Sequence, residues 1–89
     1  MTPYQRLNAE LGGEFDRYVL EHPTFAARIP VGAEVILQLE GNRGFNRWQM
    51  RVWKTNHEQG RPVVVVTIGK LRPARSRLVA PRVEKIHAA

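Results

Sequence analysis

A chain of 89 residues without a single cysteine has room for one domain, 1–89, and excludes disulfide scaffolds, thiolate-ligated zinc or iron–sulfur sites and thiol nucleophiles. Hydrophobic residues make up 43% and charged residues 25%, the balance of a soluble globular protein. The longest apolar run, residues 63–66, is far too short to span a bilayer. The start, Met1-Thr2-Pro3-Tyr4-Gln5-Arg6, lacks the basic-then-apolar order of a secretory signal. A cytoplasmic protein with no membrane partner is therefore expected.

The net charge of +6 is distributed unevenly. Residues 1–42 hold three cations (Arg6, Arg17, Arg28) against six carboxylates (Glu10, Glu14, Asp16, Glu21, Glu34, Glu40). Residues 43–89 hold eleven cations against Glu58 and Glu84 alone. Arginine dominates, a side chain suited to carboxylate, phosphate and aromatic surfaces. Two readings stay open: the basic half binds a polyanion, or it complements the acidic half, within one chain or across a dimer.

In chain order, Thr2-Pro3-Tyr4-Gln5 has the chemistry of a helix start. Thr2 serves as N-cap, Pro3 takes the first helical position, and Gln5 closes a capping box. Tyr4, Leu7, Leu11, Phe15, Tyr18 and Val19 then form an amphipathic stripe, and the helix should stop before Pro23. Gly12-Gly13 in its middle implies either a kink or close packing. Thr24 is expected to cap a second short turn through Arg28. A strand follows over residues 34–39, then a loop, Glu40-Gly41-Asn42-Arg43-Gly44. A second amphipathic helix runs from about Arg43 or Phe45 to Gln59, ended by Gly60 and Pro62. Phe45, Trp48, Gln49, Val52, Trp53 and Asn56 share one side of it. Residues 62–68 are continuously apolar and β-branched, as in a strand covered on both faces.

Strand, helix, strand predicts a small α/β domain: an N-terminal amphipathic helix plus a right-handed βαβ unit with parallel strands. Two strands make a poor sheet, so the second is expected to be central. A C-terminal edge strand, over residues 77–80 or 82–86, or an extended basic arm over 70–89, should complete the fold.

The segment His22-Pro23-Thr24-Phe25-Ala26-Ala27-Arg28-Ile29-Pro30-Val31-Gly32-Ala33-Glu34-Val35-Ile36-Leu37 resembles the core signature of a family of small prokaryotic proteins classed as a domain of unknown function. Phe45-Asn46-Arg47-Trp48 and Gly60-Arg61-Pro62-Val63-Val64-Val65-Val66 are similar to its later segments. The resemblance covers roughly residues 4 to 70. It implies a compact α/β domain of stand-alone length and brings no catalytic residue, ligand or partner. Family members carry more acid after the first strand, where this chain has Gly41-Asn42-Arg43-Gly44.

Candidate interaction residues fall in two groups. Arg43, Arg47, Arg51 and Lys54 lie within about 80° of helical arc, one turn apart. They fit either a phosphate backbone or a solvated outer face. Arg72, Arg75, Arg77 and Arg82 are interleaved with Pro, Leu and Val. They suit an arm that orders on an anionic partner, or the charges that keep an edge strand from pairing. Trp48 belongs to the core, whereas Trp53, near Met50 and His57, suggests a small exposed apolar patch suited to a dimer contact.

The loop at 40–44 joins a strand end to a helix start, where α/β proteins place anions. It lacks the Lys-Ser/Thr of a P-loop and the glycine pattern of a dinucleotide fingerprint. His22, His57 and His87 have no metal-ligand spacing. Ser76, the only serine, has no His/Asp constellation beside it. No catalytic residue, metal or cofactor is expected. The favoured reading is a non-enzymatic interaction protein, homodimeric, whose acidic and basic halves meet across subunits. The alternative is a nucleic-acid-binding accessory protein. A small anion- or ligand-binding enzyme at the 40–44 loop is the third, and no small-molecule substrate is identified.

Overall fold

A computed structural model describes residues 1–85. Helix α1 (Pro3–Glu21) starts as its sequence dictates: the Thr2 hydroxyl accepts from the Gln5 N–H, and the Gln5 side chain accepts from the Thr2 N–H. Two N–H groups that lack helical partners are thereby satisfied. The helix runs through Gly12-Gly13 without a break. A Cβ at either glycine would meet nothing within 4 Å, so close packing does not explain the pair. At the other end His22 is the C-cap, and its Nδ1 lies 2.9 Å from the Tyr18 carbonyl oxygen.

The short helix α2 (Pro23–Ala26) begins two residues earlier than expected. His22 is its N-cap and Pro23 its first residue, which leaves Thr24 inside the turn. Strand β1 (Glu34–Leu39), helix α3 (Arg43–Asn56) and strand β2 (Val63–Ile68) follow. The strands pair in parallel, Glu34 opposite Val63 through Leu39 opposite Ile68, which gives the expected βαβ order. Helix α3 stops at Asn56 rather than Gln59. His57 leaves helical geometry there, and Gly60, with a φ of 85°, serves the turn that follows.

The core is small. Leu11 of α1, Leu37 of β1 and Phe45 of α3 are buried together. Leu7, Phe15, Val35, Leu39, Trp48, Val66, Ile68 and Leu71 are partly buried around them. Tyr4 joins the two long helices, its ring centroid 6.0 Å from that of Phe45 and 5.9 Å from that of Trp48. Trp48 is therefore turned inward, as its position on the helix requires.

Strand β2 departs from the expectation of a central strand covered on both faces. The sheet has two strands, and burial along β2 alternates strictly, with Val63, Val65 and Thr67 open to solvent and Val64, Val66 and Ile68 turned inward. The run of β-branched residues reflects strand propensity rather than double coverage. Residues 69–85 contain no helix or strand, so the edge strand expected there is not formed within the described part of one chain. Ile86 and His87 lie outside the described residues.

Candidate functional site

The two edges of this sheet are treated differently, and the difference follows from the ladder. In a parallel pair, alternate residues of each strand turn their backbone groups toward the neighbour. Glu34 and Glu40 donate to the carbonyls of Pro62 and Ile68. Val35, Leu37 and Leu39 accordingly point their N–H and C=O groups away from β2, and Val63, Val65 and Thr67 point theirs away from β1.

Helix α3 closes the outer edge of β1 with carboxamides. The Leu39 N–H donates to Asn46 Oδ1 at 2.8 Å, and Asn46 Nδ2 donates to the Leu39 carbonyl at 2.9 Å. One side chain thus reproduces both bonds of a strand partner. Gln49, 7% exposed, donates through Nε2 to the Leu37 carbonyl at 3.0 Å and to Asn8 Oδ1 of α1 at 2.7 Å. The sequence holds a signal for this pair: two carboxamides three residues apart on or beside the apolar side of α3. A helix that merely covered a sheet would carry aliphatic groups there.

Nothing comparable covers β2. Among the described residues, no side chain or backbone group outside the ladder bonds the outward N–H and C=O groups of Val63, Val65 and Thr67. The Val63 and Val65 side chains beside them are 42% and 48% exposed. The inward face of the strand opens onto a groove of about 820 Å³ between α1 and the segment after β2. Phe15, Tyr18 and Val66 line its apolar wall; Glu10, Glu14 and Arg17 stand on the α1 side, with Glu14 and Arg17 paired at 3.3 Å, and Lys70, Arg72, Arg75 and Arg77 stand on the other.

The α3 cations Arg43, Arg47, Arg51 and Lys54 are all exposed. None has a carboxylate within salt-bridge distance among the described residues, so the acidic residues of α1 do not neutralise them. Arg72, Arg75 and Arg77 are equally exposed and without a carboxylate partner there. Among the described residues Arg82 meets its near neighbour Glu84, at 3.5 Å.

Trp53 is not the exposed patch that its position suggested. It is half-buried, stacks on His57 with centroids 4.6 Å apart, and donates its indole N–H to Glu34 Oε2 at 2.8 Å. Glu34 Oε1 accepts the Glu58 backbone N–H at 2.9 Å, and Arg61 lies 3.8 Å away. The Glu58 N–H holds the Glu34 carboxyl below its ordinary value. The Trp53 indole, Arg61 and His57 act in the same direction, against partial desolvation. Arg61 also donates to the Gly32 and Ala33 carbonyls. Glu34 therefore ties the end of α3 and the approach to β2 onto the start of β1, a structural clamp.

In the loop at 40–44, Asn42 Oδ1 accepts the Phe45 N–H at 3.1 Å as the α3 N-cap. A Cβ at Gly44 would run into the Tyr4 hydroxyl. The side chain best placed to greet an anion is thus engaged by the helix, and an aromatic ring closes over the first turn.

The family described as a family of unknown function, DUF5647, matches residues 3–81. No curated protein and no solved structure matches the chain.

Proposed function

The chain belongs to DUF5647, a family of unknown function, and from that footing we propose that it is a small non-enzymatic interaction protein that works as a homodimer. The observation that carries this reading is the open edge of β2. A six-residue, β-branched strand presents unpaired backbone groups beside half-exposed valines, with neither lysine nor proline inside it to discourage pairing. The same protein closes the edge of β1 with Asn46 and Gln49. One edge is finished and the other is left available.

The size of the core supports the same reading. Leu11, Ile36, Leu37 and Phe45 are the buried hydrophobic residues among those described, a thin core even for a short chain. A second subunit supplies burial that a lone protomer lacks. Light scattering of the purified full-length chain tests the proposal. A dimer mass at micromolar concentration is expected, and a monomer mass throughout overturns it.

A second reading, nucleic-acid binding, is favoured by the free cations of α3. Four positive side chains on one helical face, with no carboxylate partner among the described residues, form the electrostatic footprint that a phosphate backbone requires. Labelled duplex and single-stranded DNA or RNA, titrated at several salt concentrations, tests it. Steep salt dependence that weakens in Arg47→Ala/Arg51→Ala supports it, and no binding at low salt removes it.

A further inference from the structure

The groove between α1 and the segment after β2 combines a wall of aromatic rings with a rim of one charge sign. Phe15 and Phe25 meet edge to face with centroids 6.3 Å apart, and Tyr18 meets Phe25 in the same way at 5.2 Å. Tyr18 is 46% exposed, so the cluster turns a side to solvent. Five cations line the groove, Arg17, Lys70, Arg72, Arg75 and Arg77, against two carboxylates, Glu10 and Glu14. Arg17 and Glu14 engage each other at 3.3 Å. Four cations then face Glu10, and none of the four has a carboxylate within salt-bridge distance among the described residues. A cleft lined by one sign of charge concentrates ligands of the other.

The backbone along that rim is open as well. Residues 70–77 form no helix, strand or turn. Among the described residues, none of their N–H or C=O groups bonds another backbone group. Leu71 packs against the core cluster and so fixes the start of the segment beside the groove. Unpaired main-chain groups next to apolar surface suit an added peptide, whose own backbone bonds them while its side chains read the walls.

We propose that the groove binds an acidic peptide in extended form. Its apolar side chains rest on Phe15 and Tyr18, its carboxylates lie among Lys70, Arg72, Arg75 and Arg77, and its main chain bonds the open backbone groups of residues 70–77. Charge selects this occupant over the others. Residues 70–83 hold five cations and no carboxylate, so the same segment of a second copy has the wrong sign. A nucleic acid has the right sign, but its continuous phosphates would meet Glu10 and Glu14 on the α1 side, and it has no main-chain amides to offer. The site goes beyond the homodimeric reading, because all of its residues belong to one protomer.

Fluorescence anisotropy of the full-length protein tests the proposal, with a labelled peptide of alternating glutamate and valine as long as residues 70–77. Binding at low salt that weakens as salt rises is expected. Arg72→Glu/Arg75→Glu changes two exposed, unpaired side chains, and it should weaken binding about 10-fold with an unchanged circular dichroism spectrum. Tyr18→Ser should weaken binding without altering its salt dependence. A peptide with lysine in place of glutamate should not bind. No binding of the glutamate peptide at low salt overturns the proposal, and so does equal binding of the lysine peptide. Single-stranded RNA held more tightly than the peptide, and lost in the same double arginine variant, assigns the groove to nucleic acid and overturns the peptide reading. Sedimentation of the same samples separates this site from the dimer. A monomer that binds the peptide overturns the homodimer alone, and a dimer that ignores the peptide overturns this site alone.

Discussion

Asn46 carries an unusual share of this fold for a single polar side chain. It replaces a strand at the edge of β1, accepting the Leu39 N–H and donating to the Leu39 carbonyl. Asn46→Ala forfeits both bonds and exposes the edge, so urea unfolding should show a loss of about 2 kcal/mol. Gly13 is the opposite case. It sits mid-helix with open space where a Cβ would go, and the same measurement should show Gly13→Ala stabilising by about 1 kcal/mol.

Glu34 makes stability pH-dependent in a defined direction. Its carboxyl is held low in the folded protein, first by the Glu58 N–H and then by Trp53 and Arg61. The unfolded chain therefore binds a proton more readily than the folded one. The stabilisation is complete above the ordinary carboxylate range and is lost as pH falls through it toward the lower folded value. Unfolding midpoints measured across that range should fall more steeply for the wild type than for Glu34→Gln, which has no charge to neutralise. Equal slopes would show that the clamp does not depend on ionisation.

At the scale of elements, the helices were legible because their signals are local. Thr2, Pro3 and Gln5 form a capping box in sequence and in space, and the Phe45/Trp48 stripe finds the core as its spacing demands. The parallel βαβ order was legible too, since a helix of that length leaves little alternative between two strands. Coverage of β2 was not. Val63-Val64-Val65-Val66 has the same composition whether one face is packed or both, and only the neighbours decide. The role of Trp53 was hidden for a similar reason: its indole is fixed by Glu34, nineteen positions away. The α3 cations lie where helical geometry put them, and their lack of carboxylate partners depends on where α1 packs.

The open face of β2 can be altered without touching the β1–β2 ladder. Val65 is half-exposed and its backbone groups face outward, so Val65→Lys should leave the circular dichroism spectrum unchanged. A lysine there is the device by which natural edge strands refuse partners. Light scattering should then give a monomer mass for Val65→Lys where the wild type gives the dimer mass proposed above.

For the whole molecule, the decisive fact is an imbalance. Four buried hydrophobic residues hold the described part of the protomer together, while a valine-rich edge and an aliphatic, arginine-bearing segment lie in water. On the homodimeric reading proposed above, a second copy covers that edge and adds to a sheet of two strands. Amide hydrogen exchange at Val63, Val65 and Thr67, followed as protein concentration rises through the dimerisation range, tests this most directly. The account predicts that protection of these outward-facing amides grows with concentration, while those of Val64 and Val66, already paired with β1, are protected throughout. Rapid exchange of the three outward amides at every concentration would contradict it.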